Sequence, residues 1–145
     1  MLAREALDLA ESSGDWAQRI DSLRLVAIID ESLGDYSASL NALRDALAIS
    51  TKEDQTLISA YIQIQMSEGL ATVGQWEEAL KAVTSALPPL RQFNDRDNLF
   101  NAYAELISIY AARESALKDF DKALEYTNEL KQLLGTCLLY TSRCV

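Results

Sequence analysis

The chain has 145 residues, of which 49% are hydrophobic and 24% are charged, as in soluble globular domains and unlike disordered chains. Its net charge of −9 repels phosphate backbones, so direct binding to nucleic acid is not expected. No apolar run approaches the roughly 20 residues of a membrane span, and no secretory signal is apparent.

The residue types that most often carry chemistry are scarce. The chain has no histidine, which removes the commonest general base and metal ligand. Its two cysteines, Cys137 and Cys144, form no disulfide framework and no metal-ligand spacing, and they are compatible with a reducing compartment. We therefore expect a cytoplasmic protein with no catalytic residues, no metal, no cofactor and no membrane contact.

Apolar residues three and four positions apart predict about seven helices and no strands. The first predicted helix covers residues 2–13, and we interpret it as the second half of a repeat whose first half the sequence does not include. The second runs over 16–33 between an Asp15 cap and Gly34, and the third over 36–49. Thr51 to Asp54 resembles a capping box for the fourth, over 57–73, where Gly69 indicates a close helix crossing.

The second half of the chain continues the pattern with two irregularities. The fifth predicted helix begins at Trp76, and Pro88-Pro89 is expected to end or kink it. Asn94-Asp95 caps the sixth, which runs to about residue 113, and a longer loop follows at 114–117. The seventh covers 120–134 and ends at Gly135. Residues 135–145 follow no repeat and resemble translated adapter sequence, so we expect a non-native or disordered tail, with a genuine frayed end as the alternative.

A short motif returns at the start of three helices. Its copies are Gly34-Asp35-Tyr36, Gly74-Gln75-Trp76 and Lys118-Asp119-Phe120, and the third comes four positions later than equal spacing would place it. Small side chains recur at fixed distances from these turns and predict close crossings between paired helices that stack on one another. These small positions are Ser39, Ala79 and Ala123, then Ala46 and Ala86 (with Leu130 as the exception), and Ala27, Ser67 and Ala111.

This combination resembles the tetratricopeptide repeat. The middle unit, with Gly74, Trp76, Ala79 and Ala86, is the best match, and the third unit lacks the turn glycine. The family unit has about 34 residues, so the longer spacing here resembles bacterial variants with longer helices. The resemblance covers residues 2–134, with repeats at about 16–50, 54–93 and 95–134. It implies an all-α, right-handed superhelical solenoid of antiparallel helix pairs.

The family binds peptides in a concave groove lined by the first helix of each pair. Carried onto this chain, the groove positions are Asp21, Arg24, Ile28, Tyr61, Ile64, Glu68, Glu105, Ser108 and Ala112. Some members hold a terminal carboxylate with Lys and Asn at such positions, and only a single Arg is available here. The alternative is a solvated wall in a protein whose partner binds elsewhere. The recurring aromatics Trp16, Tyr36, Trp76 and Phe120 are expected to pack in the core, not to cage a cation.

We therefore expect a non-catalytic scaffold of the bacterial cytoplasm that binds a protein or peptide partner in this groove. The alternative is a sensory or dimerising fragment of a larger bacterial signalling enzyme or transcription regulator. An intrinsic enzyme is disfavoured, because paired carboxylates such as Glu77-Glu78 lie at helix starts, where the helix dipole favours negative charge. Apolar ends of the helix stack predict weak end-to-end self-association.

Overall fold

A computed structural model describes residues 5, 8, 11, 12 and 14–141, with side chains described as far as residue 135. Six helices, and no strand, occupy the continuous part of this range, and each packs against the next in the chain. The predicted leading helix at 2–13 lies largely outside the described residues, as does the end of the predicted tail. The helices are α1 (Trp16–Ser32), α2 (Tyr36–Lys52), α3 (Thr56–Thr72), α4 (Trp76–Gln92), α5 (Arg96–Ala111) and α6 (Phe120–Thr141).

One turn geometry returns at equal intervals along the chain. A left-handed residue occupies each turn, and these residues are Gly14, Gly34, Asp54, Gly74 and Asn94, with φ between 52° and 80°. After the last four, the next backbone N–H donates to a carbonyl five positions earlier, over 2.8 to 2.9 Å. This bond defines the Schellman ending of a helix. Each unit of the sequence repeat is therefore two copies of one smaller helix-turn unit.

The turn at residues 53–55 differs from the sequence prediction. Thr51 lies in the last turn of α2 and caps nothing, while Asp54 takes the left-handed conformation that Gly34 and Gly74 take elsewhere. Aspartate and asparagine tolerate this conformation better than other residues with a Cβ atom. The predicted capping box was therefore wrong, and α3 starts after Gln55 without a side-chain cap.

The two prolines of α4 do not end the helix. Helix α4 continues through Pro88 and Pro89 to Gln92. Leu87 and Leu90 on either side of the pair are buried, so core packing holds this stretch helical. Proline removes the bond to the carbonyl four positions earlier.

The last helix is longer than predicted, and the loop before it is long as predicted. Residues 112–119 separate α5 from α6, whereas the other turns have three residues. Helix α6 passes through Gly135 to Thr141, so the prediction that Gly135 ends it was wrong. The reason is conformational, because Gly14, Gly34 and Gly74 have a left-handed φ, whereas Gly135 does not.

The small residues pack at the helix contacts. Ser39, Ala79, Ala123, Ala46, Ala86, Ala27 and Ser67 are all buried, as predicted. A Cβ atom at Gly69 would lie 3.3 Å from Leu40 Cδ2, which confirms the close approach of α3 to α2. Ala111 is exposed, so the prediction there was wrong.

The recurring aromatics are less buried than expected. Trp16, Tyr36 and Trp76 are half-buried, and Phe120 is 62% exposed with Lys118 Nζ lying 4.8 Å from its ring centre. The prediction that Phe120 packs in the core was therefore wrong. The long loop before α6 replaces the tight turn and leaves its first residue in solvent.

Candidate functional site

Polar side chains link the first helices of the three units. Arg24 Nε on α1 donates to Gln65 Oε1 on α3 over 2.8 Å. Ser67 Oγ on α3 donates to the carbonyl oxygen of Ala79 over 2.9 Å and lies 3.3 Å from Glu105 Oε1 on α5. Helices α3 and α5 also touch directly. These contacts link α1 to α3 and α3 to α5, and the surface along the three helices carries the candidate site.

A second link runs from α3 to the start of α5. The hydroxyl of Tyr61 donates to Asp95 Oδ2 over 2.6 Å, and Asp95 also caps α5 by accepting from Asn98. Desolvation and this hydrogen bond raise the pKa of Tyr61 to about 12. Desolvation opposes ionisation of Asp95, but the bonds from Tyr61 and Asn98 prevail and lower its pKa. The phenol therefore stays protonated and serves as a fixed donor.

A row of three carboxylates crosses this surface. Glu31 on α1, Glu68 on α3 and Glu105 on α5 follow one another at equal intervals in the sequence. Desolvation, and then the charge of Glu31, raises the pKa of Glu68. Desolvation, and then the charge of Glu68, raises the pKa of Glu105, against the hydrogen bond from Ser67. Glu68 and Glu105 are thus each repelled by the carboxylate that precedes it in the row.

We call this surface the odd-helix wall. It consists of Arg24, Glu31, Tyr61, Gln65, Glu68 and Glu105, and the fully buried Ser67 supports Glu105 from within the core.

The predicted groove residues of the third unit were displaced by one helical turn. Helices α1, α3 and α5 begin at residues 16, 56 and 96, so their spacing stays constant. The structural counterparts of Tyr61 and Ile64 are therefore Asn101 and Ala104, and not the predicted Glu105 and Ser108. The four extra residues lie in the loop before α6. Ala112, the last predicted position, follows the end of α5 in an extended conformation.

Burial separates the remaining predicted positions. Asp21, Ile28, Glu68 and Ser108 are exposed, whereas Arg24, Tyr61, Glu105 and Ala112 are half-buried. Ile64 is only 4% exposed and packs in the core, so its placement in a groove was wrong. Glu31 and Gln65 were missed as wall residues, and the bond from the buried Ser67 to Glu105 was not predicted. Their contacts join different repeat units, and the equal interval between the carboxylates carries meaning only after the helices are aligned.

A cluster of aromatic rings lies where α5 meets α6. The ring of Tyr126 lies 6.0 Å from that of Tyr103 and stacks at 6.1 Å on that of Tyr110. The guanidinium of Arg91 lies 5.9 Å from the Tyr103 ring centre and donates to its hydroxyl, while Lys122 Nζ lies 5.2 Å from the Tyr110 ring centre. We call these three tyrosines the tyrosine cluster. It fixes α6 against the rest of the chain.

One cleft opens between the middle helices. It has a volume of about 360 Å³ and is bounded by α2, α3 and α4. Its lining combines the apolar side chains of Met66, Leu70 and Ala82 with the cations Arg44 and Lys81. We call it the middle pocket. Its volume lies at the lower end of the range of small-molecule sites, which runs from about 300 to 1,000 Å³.

Two searches of the described residues found no further site. No cluster of three or more Cys, Asp or Glu side chains in this part of the chain has a geometry that could hold a metal ion. Among the same residues, no helix has the length and apolar character needed to cross a membrane.

Comparison with models of protein families, with curated proteins and with solved structures found no match. The likeness to tetratricopeptide repeats therefore stays a prediction from the sequence.

Proposed function

We propose that this chain is a non-catalytic scaffold of the bacterial cytoplasm that binds a segment of a partner protein along the odd-helix wall. In this proposal the helices form antiparallel pairs stacked as a right-handed superhelix, and the wall lines its concave side. The repeated Schellman turns and the contact between α3 and α5 support such a stack. The row of carboxylates on the wall carries the functional part of the proposal.

The charge of the row selects the partner. Desolvation, and then the charge of the carboxylate that precedes each of them in the row, raises the pKa of Glu68 and of Glu105, so their ionisation is disfavoured. A lysine or arginine side chain placed between them would relieve this repulsion, and Arg24 is already engaged with Gln65. The net charge of −9 would add long-range attraction for the same partner. We therefore propose an extended segment rich in lysine and arginine.

The test is a peptide titration that compares the wild-type chain with a variant in which two carboxylates of the row are replaced by amides. We expect a labelled lysine- and arginine-rich peptide to bind the wild-type chain in fluorescence anisotropy, with an affinity that falls as salt is added. The double variant Glu68→Gln and Glu105→Gln should bind at least about fivefold more weakly. It should remain folded, because the substitutions remove carboxylates whose ionisation the fold disfavours.

The matched control is Asp45→Asn, which removes one exposed carboxylate from α2, away from the wall. It should bind the basic peptide like the wild type. A double variant that also binds like the wild type, or a glutamate-rich peptide that binds equally well, would remove the odd-helix wall as the site.

Exposed apolar side chains favour the second candidate, a dimerising or sensory fragment of a larger signalling protein. Four lie on or next to α1, and Leu33 is the most exposed of them at 77%. Leu124 on α6 is 59% exposed. End-to-end association would bury both regions, and sedimentation velocity over a range of concentrations would detect it. Under this candidate Leu33→Glu should abolish association, and a wild-type chain that stays monomeric throughout would exclude it.

A further inference from the structure

The middle pocket and the tyrosine cluster occupy equivalent places in successive units. Helix α5 begins at residue 96 as the repeat of α3, which begins at 56, and α6 begins at 120 as the repeat of α4, which begins at 76. The pocket residues Gln63 and Leu70 on α3 therefore correspond to Tyr103 and Tyr110 on α5. Ala82 on α4 corresponds to Tyr126 on α6. All three tyrosines have a counterpart in the lining of the pocket.

This correspondence explains why the pocket is open. Between α4, α5 and α6 three tyrosine rings pack together, with Tyr126 stacked on Tyr110 and tilted against Tyr103. Between α2, α3 and α4 the same positions carry an amide, an isobutyl group and a methyl group. The Ala82 methyl leaves the place of the Tyr126 ring empty, and about 360 Å³ of accessible volume remains there. The fold itself thus shows what shape of group fits between these helices, namely a flat aromatic ring.

The rim of the pocket adds a charge preference. Arg44 and Lys81 both line it, and Glu78 is the carboxylate on the same rim. In the tyrosine cluster, cations approach ring faces at 5.2 to 5.9 Å, which is the distance of a cation–π contact. Two cations beside an apolar cleft can therefore hold a ring and pair with an anionic group attached to it.

We propose that the middle pocket binds a small aromatic carboxylate, with its ring in the place that Tyr126 takes in the next unit and its carboxylate between Arg44 and Lys81. Met66, which also lines the cleft, provides the sulfur–aromatic contact that methionine commonly makes. No residue of the odd-helix wall lines this pocket, so the proposal is independent of the function proposed above.

The experiment uses phenylpropanoate as the probe, followed by amide NMR of the whole chain. We expect saturable shifts confined to amides around the pocket, with a dissociation constant on the order of a few millimolar. Two analogues separate the two features of the ligand. Phenylpropanamide lacks the charge and cyclohexylpropanoate lacks the aromatic ring, and each should bind at least about threefold more weakly.

Substitutions in and outside the middle pocket test where phenylpropanoate binds. Ala82→Tyr and Gln63→Tyr introduce rings where the next unit has them, and each should weaken phenylpropanoate binding at least about tenfold while circular dichroism stays unchanged. Ala104→Tyr adds the same ring on the exposed face of α5 and should bind like the wild type. The double variant Arg44→Gln and Lys81→Gln should bind the acid no better than the amide.

Three results would each overturn the proposal. The first is the absence of saturable shifts near the pocket at about ten times the expected dissociation constant. The second is a folded Ala82→Tyr variant that binds phenylpropanoate like the wild type. The third, which holds even if both tyrosine variants fail to fold, is an undiminished preference for the acid in the variant that lacks Arg44 and Lys81.

Discussion

Replacing Ala79 by leucine tests the tight contact between α3 and α4. Ala79 is fully buried, and its carbonyl oxygen accepts the Ser67 hydroxyl at 2.9 Å. Three added carbon atoms have no space there, so α4 must move away from α3. Overpacking of this kind costs about 1–3 kcal/mol, and weakening the buried hydrogen bond adds about 1 kcal/mol. We expect a total destabilisation of about 2–4 kcal/mol, and a fall in Tm of about 7–13 °C for a chain of this size.

The measurement is urea unfolding followed by circular dichroism at the helix signal. The midpoint should fall with an unchanged slope, because the amount of surface exposed on unfolding stays the same. The matched control is Ala82→Leu, three positions further along the same helix. Ala82 is half-buried and lines the middle pocket, where the larger side chain has space. We expect the control to lie within about 0.5 kcal/mol of the wild type, or to be more stable.

Two results would contradict this reasoning. If Ala79→Leu unfolds at the wild-type midpoint, the contact between the helices does not depend on a small side chain. If Ala82→Leu is as damaging as Ala79→Leu, leucine is harmful anywhere on this face of α4, and the distinction between a packed contact and an open pocket fails.

Two further predictions concern glycine conformation and pH. Gly74→Ala should cost about 1 kcal/mol in urea unfolding because its φ is +80°, whereas Gly135→Ala, inside α6 with open space around it, should be neutral or stabilising by up to about 1 kcal/mol; equal effects would contradict the assigned conformations. The raised pKa values of Glu68 and Glu105 mean that these two carboxyl groups bind protons more tightly in the folded chain than in the unfolded chain. The contribution of this proton binding to stability is therefore present at low pH. It is lost as pH rises from the ordinary pKa value of 4.5 through the folded pKa values. Urea unfolding should therefore show a gain between neutral pH and about pH 5 that the double glutamine variant lacks, and the same gain in that variant would place its origin elsewhere.

The helices and most of their ends followed from local sequence. Gly34 and Gly74 identify two turns because the left-handed conformation is a property of the residue and its neighbours alone. Asp54 was missed because Thr51, three positions earlier, completes a pattern that also describes a helix start. Local rules allow both structures there. Burial of Ser50 and Ala46 extends α2 through the threonine and decides between them.

The position of the extra residues in the third unit was not available from the sequence. The four extra residues of the last repeat unit could lie in a longer helix or in a longer loop, and the sequence pattern fits both equally well. The structure puts the four residues into the loop before α6, so the predicted wall residues on α5 lie one turn too far along. The prediction that Ile64 lines the groove was wrong for a related reason. Its helical spacing fits a wall or the core, and the packing of several helices places it in the core.

By itself, the sequence determined that this chain is helical, where the small contact residues lie, and that its units repeat, because these properties arise within a helix or a turn. Tertiary structure alone decided which carboxylates form a row and which three positions hold packed tyrosine rings in one unit and line an open pocket in the unit before it. These features join side chains from different helices and different units, and their proximity depends on how each helix packs against its neighbours.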